Sequence, residues 1–185
     1  MSTDPPTAER SITSEVHIRR IAESDSVEEL TELLHRAYKI LADMGFRFFA
    51  THQTPEQTQE RIDSGECYVG IHDGRIIGTV TFYPPPRDES TSSQWYRRPD
   101  VSHFGQFAVE PSLQRSGVGS RLMDFVENLA RERGIAEIAL DTAEGAHHLR
   151  EYYSRRGYRF IEYVQWDVTN YRSVVMSKEL GKSKV

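Results

Sequence analysis

Three features of this chain bring together residue types whose spacing suits chemistry. The first is Gln114-Arg115-Ser116-Gly117-Val118-Gly119, where two glycines follow an amide and a basic side chain. A helix starting there carries unpaired first-turn N–H groups and a partial positive charge, both of which favour a phosphate. Glycine lets the backbone approach an anion where a Cβ would collide. The second feature is the pair Tyr152-Tyr153, phenols with an ordinary pKa of ~10 that can donate a proton. The third is His103, a residue type whose ordinary pKa of ~6.5 lets an imidazole relay a proton at neutral pH. Each also has a plainer reading: a helix that happens to begin with glycines, core aromatics, and a histidine at a strand end.

Two nucleotide-binding patterns compete for the glycine segment. A Walker loop needs a lysine after its last glycine, and none follows Gly119. A dinucleotide fingerprint needs a third glycine where Leu122 stands, and no second βαβ unit precedes it. Asp141, at about the place of a ribose-binding acid, is the one point in its favour. The neighbours His147-His148 suggest a metal at first sight, but adjacent helical side chains point about 100° apart, so a shared ion is not expected.

The elements that must position these residues follow from periodicity and caps. Val16–Arg19 alternates as a strand. Ser26 with Glu29 opens a helix with Leu30, Leu33, Leu34, Ala37, Tyr38 and Leu41 on one face, stopped by Gly45. Phe46–His52 has no clear period. Thr54-Pro55-Glu56-Gln57 starts a short helix ending near Gly65. Cys67–Ile71 and Arg75–Tyr83 form a hairpin around His72-Asp73-Gly74. Residues 84–100, with four prolines, read as a long loop, either a lid or merely mobile. Then come a strand over His103–Val109, a helix over Gln114–Arg133, a strand over Glu137–Asp141, a helix over Ala146–Arg156, and closing strands Tyr158–Trp166 and Tyr171–Ser177. That order predicts an α/β (α+β) fold: one domain with a mixed, largely antiparallel central sheet flanked by about four helices. The domain is expected over 15–180, with a disordered N-terminal tail at 1–14 and a short C-terminal tail at 181–185.

Bulk properties narrow the function classes. The 185 residues are 37% hydrophobic and 28% charged, a globular composition. A net charge of −5 provides no global field for nucleic acid or an anionic membrane, so an anionic ligand needs a local device. No apolar run approaches the ~18 residues of a membrane span. The single cysteine, Cys67, fits a reducing compartment, and a cytoplasmic location is the default expectation.

Phe107-Ala108-Val109-Glu110-Pro111-Ser112-Leu113-Gln114-Arg115-Ser116-Gly117-Val118-Gly119 resembles the central motif of the GNAT superfamily of N-acetyltransferases. That motif is a strand ending in a small residue and Val, an acid-Pro turn, and [QR]-x-x-G-x-[GA] at a helix start. Downstream, Tyr153-Ser154-Arg155-Arg156-Gly157-Tyr158 resembles the family's Tyr-x-x-x-Gly-aromatic step. The predicted element order follows the family's fold over nearly the whole chain.

The resemblance implies acetyl-CoA as cosubstrate, no metal, and transfer of acetyl to a primary amine. It places the pantetheine arm on the backbone of Phe107, Ala108 and Val109, and the pyrophosphate on Gln114, Arg115, Ser116, Gly117, Val118, Gly119 and Ser120. Tyr153 matches the family's general acid, with Tyr152 the less favoured neighbour. Some members carry a base six residues before the strand's last Val; here that position is His103, ahead of Glu110, which points toward the arm. Many relatives carry an Asn seven residues before the acid; here it is Ala146, which loses one hydrogen bond worth about 1 kcal/mol. Phe46, Phe48, Phe49, Trp95, Tyr96, Trp166 and Tyr171 are candidate walls of an acceptor site, or simple packing. A small-molecule amine is the expected acceptor, because the chain shows no basic patch or peptide-binding module. A protein N-terminus or lysine, or a non-catalytic CoA-binding sensor, are the alternatives. Homodimers are common among relatives.

Overall fold

The structure, a computed structural model, describes residues 15–86 and 91–181. The expected tail at 1–14 and residues 182–185 therefore lie outside the described residues.

The first strand, β1 (His17–Arg20), leads to helix α1 (Val27–Asp43). Half of the expected capping box forms at α1: the Ser26 hydroxyl accepts from the Glu29 amide at 3.1 Å, while the Glu29 carboxylate accepts from the Ile76 amide. Helix α2 (Pro55–Asp63) has a full capping box, with Thr54 and Gln57 exchanging side-chain-to-backbone bonds. Strands β2 (Glu66–His72) and β3 (Arg75–Tyr83) form an antiparallel hairpin. Asp73 and Gly74 both adopt positive φ there, 49° and 73°, as a two-residue hairpin turn requires.

Strand β4 (Val101–Val109) is followed by a 3₁₀ turn at Pro111–Leu113 and helix α3 (Val118–Glu132). Strand β5 (Glu137–Ala143), helix α4 (His147–Arg155), and strands β6 (Arg159–Gln165) and β7 (Arg172–Glu179) complete the chain. The seven-stranded sheet runs β1-β2-β3-β4-β5-β7-β6. Every pairing is antiparallel except β4 with β5. This is the mixed, largely antiparallel sheet with four α-helices that the periodicity predicts.

Two cores cover the sheet. On one face α3 buries Val118, Leu122, Met123 and Val126 against Val80, Phe82 and Ile138, with Tyr153 and Tyr158 closing the end. On the other, α1 buries Leu30, Leu33 and Leu34 against Val69 and Ile76. Helix α3 can lie close because β3 has Gly78 beneath it: an added Cβ would fall 2.8 Å from Leu122 Cδ1 and 3.2 Å from the Ala108 carbonyl. The edge strand β6 leaves Phe160 and Tyr163 exposed. Among the described residues no helix is long and apolar enough to cross a membrane.

Candidate active site

The parallel pairing of β4 and β5 is short. It joins Val101 with Glu137, Ser102 with Ile138 and His103 with Ala139, and no later pair. Beyond that point β4 continues against β3 while β5 follows β7, so the two strands open as a wedge in mid-sheet. Strand β4 also bulges: pairing jumps from Thr81↔Gly105 to Thr79↔Ala108, and Gln106 sits at φ 46°, unusual for a side-chain-bearing residue. An open wedge leaves the facing backbone groups of Phe107–Val109 without a β5 partner, which suits an extended polar ligand. The Tyr38 hydroxyl donates to the Phe107 carbonyl at 3.1 Å.

The glycine segment lies past the end of β4. The helix begins later than its composition suggests: Val118 is its first residue, and Gly117 is the cap at φ 92°. Arg115 is also left-handed, at φ 66°. These two reversals tie up few amides. The first i→i−4 bond of α3 is Arg121 N to Gly117 O at 3.1 Å, so the amides of Val118, Gly119 and Ser120 precede it. The loop therefore presents first-turn N–H groups at the positive end of a 15-residue helix. Gln114 and Arg115 are exposed beside it. Glu110, in contrast, is committed: Arg36 of α1 donates to its Oε2 at 2.8 Å.

A cavity of about 460 Å³ opens between the wedge, α1, α2 and the β6–β7 connection. That is within the size range of small-molecule sites, roughly 300–1,000 Å³. Phe48, Phe49, Trp166 and Tyr171 line it as expected. Phe46 packs behind, edge-on to Tyr171. Trp95 and Tyr96 belong to a separate cluster with Val101, Ala139 and Val175. The end of the 84–100 loop is pinned to β6, because Glu162 accepts from Ser93 Oγ at 2.6 Å and from the Trp95 amide at 3.1 Å.

Arg61, Gln106 and Asp141 also line the cavity, where sequence reasoning did not place them. Asp141 stands on β5 two residues past the last parallel pair. Its oxygens accept from the Tyr96 hydroxyl at 3.1 Å and from Trp166 Nε1 at 2.9 Å. Burial pushes its carboxyl up, and those donors pull it back. Tyr38, on the same wall, is pushed up to about 12 by burial, against the lowering effect of Arg61.

Tyr153 is buried on α4, with its ring centroid 5.4 Å from Tyr152 and 6.1 Å from Tyr158. Burial raises its pKa, with smaller contributions from Tyr38, Tyr152 and Asp141, so the phenol is protonated throughout the neutral range. His103 is not among the residues that line the cavity. Its ring is stacked between Tyr83 at 4.7 Å and Tyr96 at 4.0 Å. Ala146 caps α4 and is fully buried, and His147 and His148 are exposed.

The arrangement joins an anion-receiving turn, an open strand wedge and an aromatic cavity with a few charges. The sequence profile of the acetyltransferase (GNAT) family matches residues 27–158. Two proteins of Bacillus subtilis (strain 168) are similar over most of their length. S-(2-succino)cysteine N-acetyltransferase is 33% identical over 75% of this chain and 82% of that protein. S-alkylcysteine N-acetyltransferase is 26% identical over 76% of this chain and 78% of that protein. Among solved structures, a GNAT family acetyltransferase from Elizabethkingia anophelis with acetyl-CoA bound superposes with a TM-score of 0.62 at 16% identity, covering 89% of this chain and 98% of that one. The ribosomal-protein-S18-alanine N-acetyltransferase from Escherichia coli superposes at 0.67 and 13% identity, covering 91% and 96%. These last two share the fold. The sequence matches go further, and the chain is an N-acetyltransferase belonging to the GNAT family.

Proposed function

We propose that the chain transfers the acetyl group of acetyl-CoA to the primary amine of a small molecule, with an S-substituted cysteine as the acceptor class. The observation that carries this reading is the wedge between β4 and β5, with the Gly117 turn at one end and the aromatic cavity at the other. The acceptor class rests on what the two Bacillus subtilis relatives are named for.

In this reading the first-turn amides of Val118, Gly119 and Ser120 receive the pyrophosphate with the Gln114 and Arg115 side chains, while the Gln114 and Ser116 amides are held by the Pro111 and Leu113 carbonyls. The Phe107, Ala108 and Val109 backbone pairs with the pantetheine arm. Acetyl-CoA, when bound, supplies the thioester. The bound ammonium must give up a proton before it can attack, since at pKa ~10 it is protonated at neutral pH and has no lone pair. His103, which does not line the cavity, takes that proton through water. Tyr153, kept protonated by burial, donates to the departing sulfur.

The reading is tested by incubating the protein with acetyl-CoA and either S-methylcysteine, simple primary amines, or peptides with a free N-terminus and a lysine. Mass spectrometry then identifies the acetylated product. Acetylation of the small amines in preference to the peptides is expected. Preference for the peptides would replace this reading with the protein-directed one.

A further inference from the structure

The cavity is electrically lopsided in a way that specifies more than an amine. On α2, the Arg61 Nη1 donates to Gln53 Oε1 at 2.9 Å, and its guanidinium lies 5.5 Å from the Phe49 ring centre. Among the described residues no carboxylate lies within ion-pair distance of Arg61. Gln53 is fully buried and fixes this arginine: its Nε2 donates to Thr58 Oγ1 at 2.7 Å and to Gln106 Oε1 at 3.2 Å. The Gln53 main-chain carbonyl contacts His35 Nε2 at 2.8 Å.

Gln106 is held by the same network from its other end. With its Oε1 occupied by Gln53, its Nε2 is left buried and without a partner, in a residue only 3% exposed that lines the cavity. A buried amide N–H with no acceptor costs roughly 1–3 kcal/mol, which makes its presence a pointer to a ligand. One wall thus offers a preorganised guanidinium and an unused amide, a pair suited to a carboxylate. Asp141 faces the same space from β5, steadied by Tyr96 and Trp166. Of the described lining residues, Arg61 is the only cation and Asp141 the only anion, while Phe48, Phe49, Trp166 and Tyr171 supply apolar wall.

We propose that Arg61 and Gln106 hold the α-carboxylate of an amino-acid acceptor, that Asp141 orients its α-amino group toward the wedge, and that the aromatic wall takes an uncharged side chain. This rests on the small-molecule reading above and deepens it. It also separates the two relatives' substrate types. A succinyl thioether brings two further carboxylates to a wall whose one cation is already used. A neutral S-alkyl or S-aryl group meets only rings. The cavity therefore favours the neutral thioether, although the more similar of the two relatives is the one named for the succinyl compound.

Four probes decide this with the full chain, acetyl-CoA and a thiol-release assay: S-methylcysteine, S-benzylcysteine, S-(2-succino)cysteine, and S-methylcysteamine, which lacks the carboxylate. The wild type is expected to use the two neutral thioether amino acids at least about 10-fold better in kcat/KM than either other probe. Arg61→Met is expected to raise KM for S-methylcysteine roughly 10- to 100-fold with a much smaller effect on kcat, as loss of a charged hydrogen bond implies. It should also shrink the preference over S-methylcysteamine to about 3-fold or less. Arg61→Lys should restore part of that preference, which separates a carboxylate contact from a packing defect. Equal use of S-methylcysteamine by the wild type, or an equal loss on both amines in Arg61→Met, overturns the carboxylate site. Preference for S-(2-succino)cysteine overturns the uncharged wall. Turnover of simple amines but of no amino acid refutes this inference and leaves the acetyltransferase reading standing, whereas no turnover of any amine removes that reading as well.

Discussion

Replacing Gly117 by alanine puts a Cβ on a residue held at φ 92° in the turn that caps α3. An L-residue in the left-handed region costs about 1–2 kcal/mol. In a chain of this size each kcal/mol moves Tm by roughly 2–4 °C, so the ligand-free variant should melt about 2–8 °C lower. Gly134 supplies the control. It has φ 69° after the other end of α3, and an added Cβ there meets nothing within 4 Å. Gly134→Ala should therefore carry a similar penalty far from the proposed pyrophosphate site. The two variants separate when CoA is added. Saturating CoA at 100 times its Kd stabilises the wild type by about 2.7 kcal/mol. Gly134→Ala should keep that increment. Gly117→Ala relieves its strain by turning the amides away, and each lost charged hydrogen bond weakens CoA roughly 10- to 100-fold. Thermal melts of the three proteins across a CoA titration make the comparison. An undiminished CoA-induced shift in Gly117→Ala would refute the assignment of the pyrophosphate to this turn, whatever the change in intrinsic stability.

Two further outcomes follow. His103→Gln keeps most of the volume between Tyr83 and Tyr96 and should lower the rate most near neutral pH; an unchanged pH–rate profile removes His103 from the reaction. Asp25 receives two bonds from Arg19 at 2.7 and 2.8 Å and one from the Ala22 amide, and the arginine bonds foremost hold its carboxyl below the ordinary 3.8. A folded-state pKa below the unfolded one stabilises above the unfolded value and loses that contribution as pH falls through the folded one. Urea melts of Asp25→Asn should accordingly show their largest deficit near pH 7, closing below about pH 3.8.

The sheet, its hairpin and the capped helices were legible because local signals decide them: Thr54-Pro55 with Gln57, Asp73-Gly74, and the apolar stripe of α1. The start of α3 was misplaced by four residues, at Gln114 instead of Val118. Positive φ at Arg115, a residue type that rarely adopts it, lengthens the turn in a way composition does not announce. The cavity's charges were the least legible. Arg61 reads as part of a polar helix face; only its bond to buried Gln53, eight residues earlier, aims it inward. Asp141 resembled a ribose-binding acid by sequence position, and its real surroundings depend on where β4 and β5 separate, a long-range event. Gln106 gives no signal beyond its place on a strand, since the bulge that turns it arises from pairing with β3.

We propose acetyl transfer in this cavity and wedge with Tyr153 as the proton donor. Amine-dependent release of CoA thiol from acetyl-CoA, compared between the wild type and Tyr153→Phe, tests it most directly. Release in the wild type should require the amine, and kcat should fall roughly 10²- to 10³-fold in the variant with CoA binding retained. Tight CoA binding by the wild type with no amine-dependent release, or equal kcat in the two proteins, would contradict it.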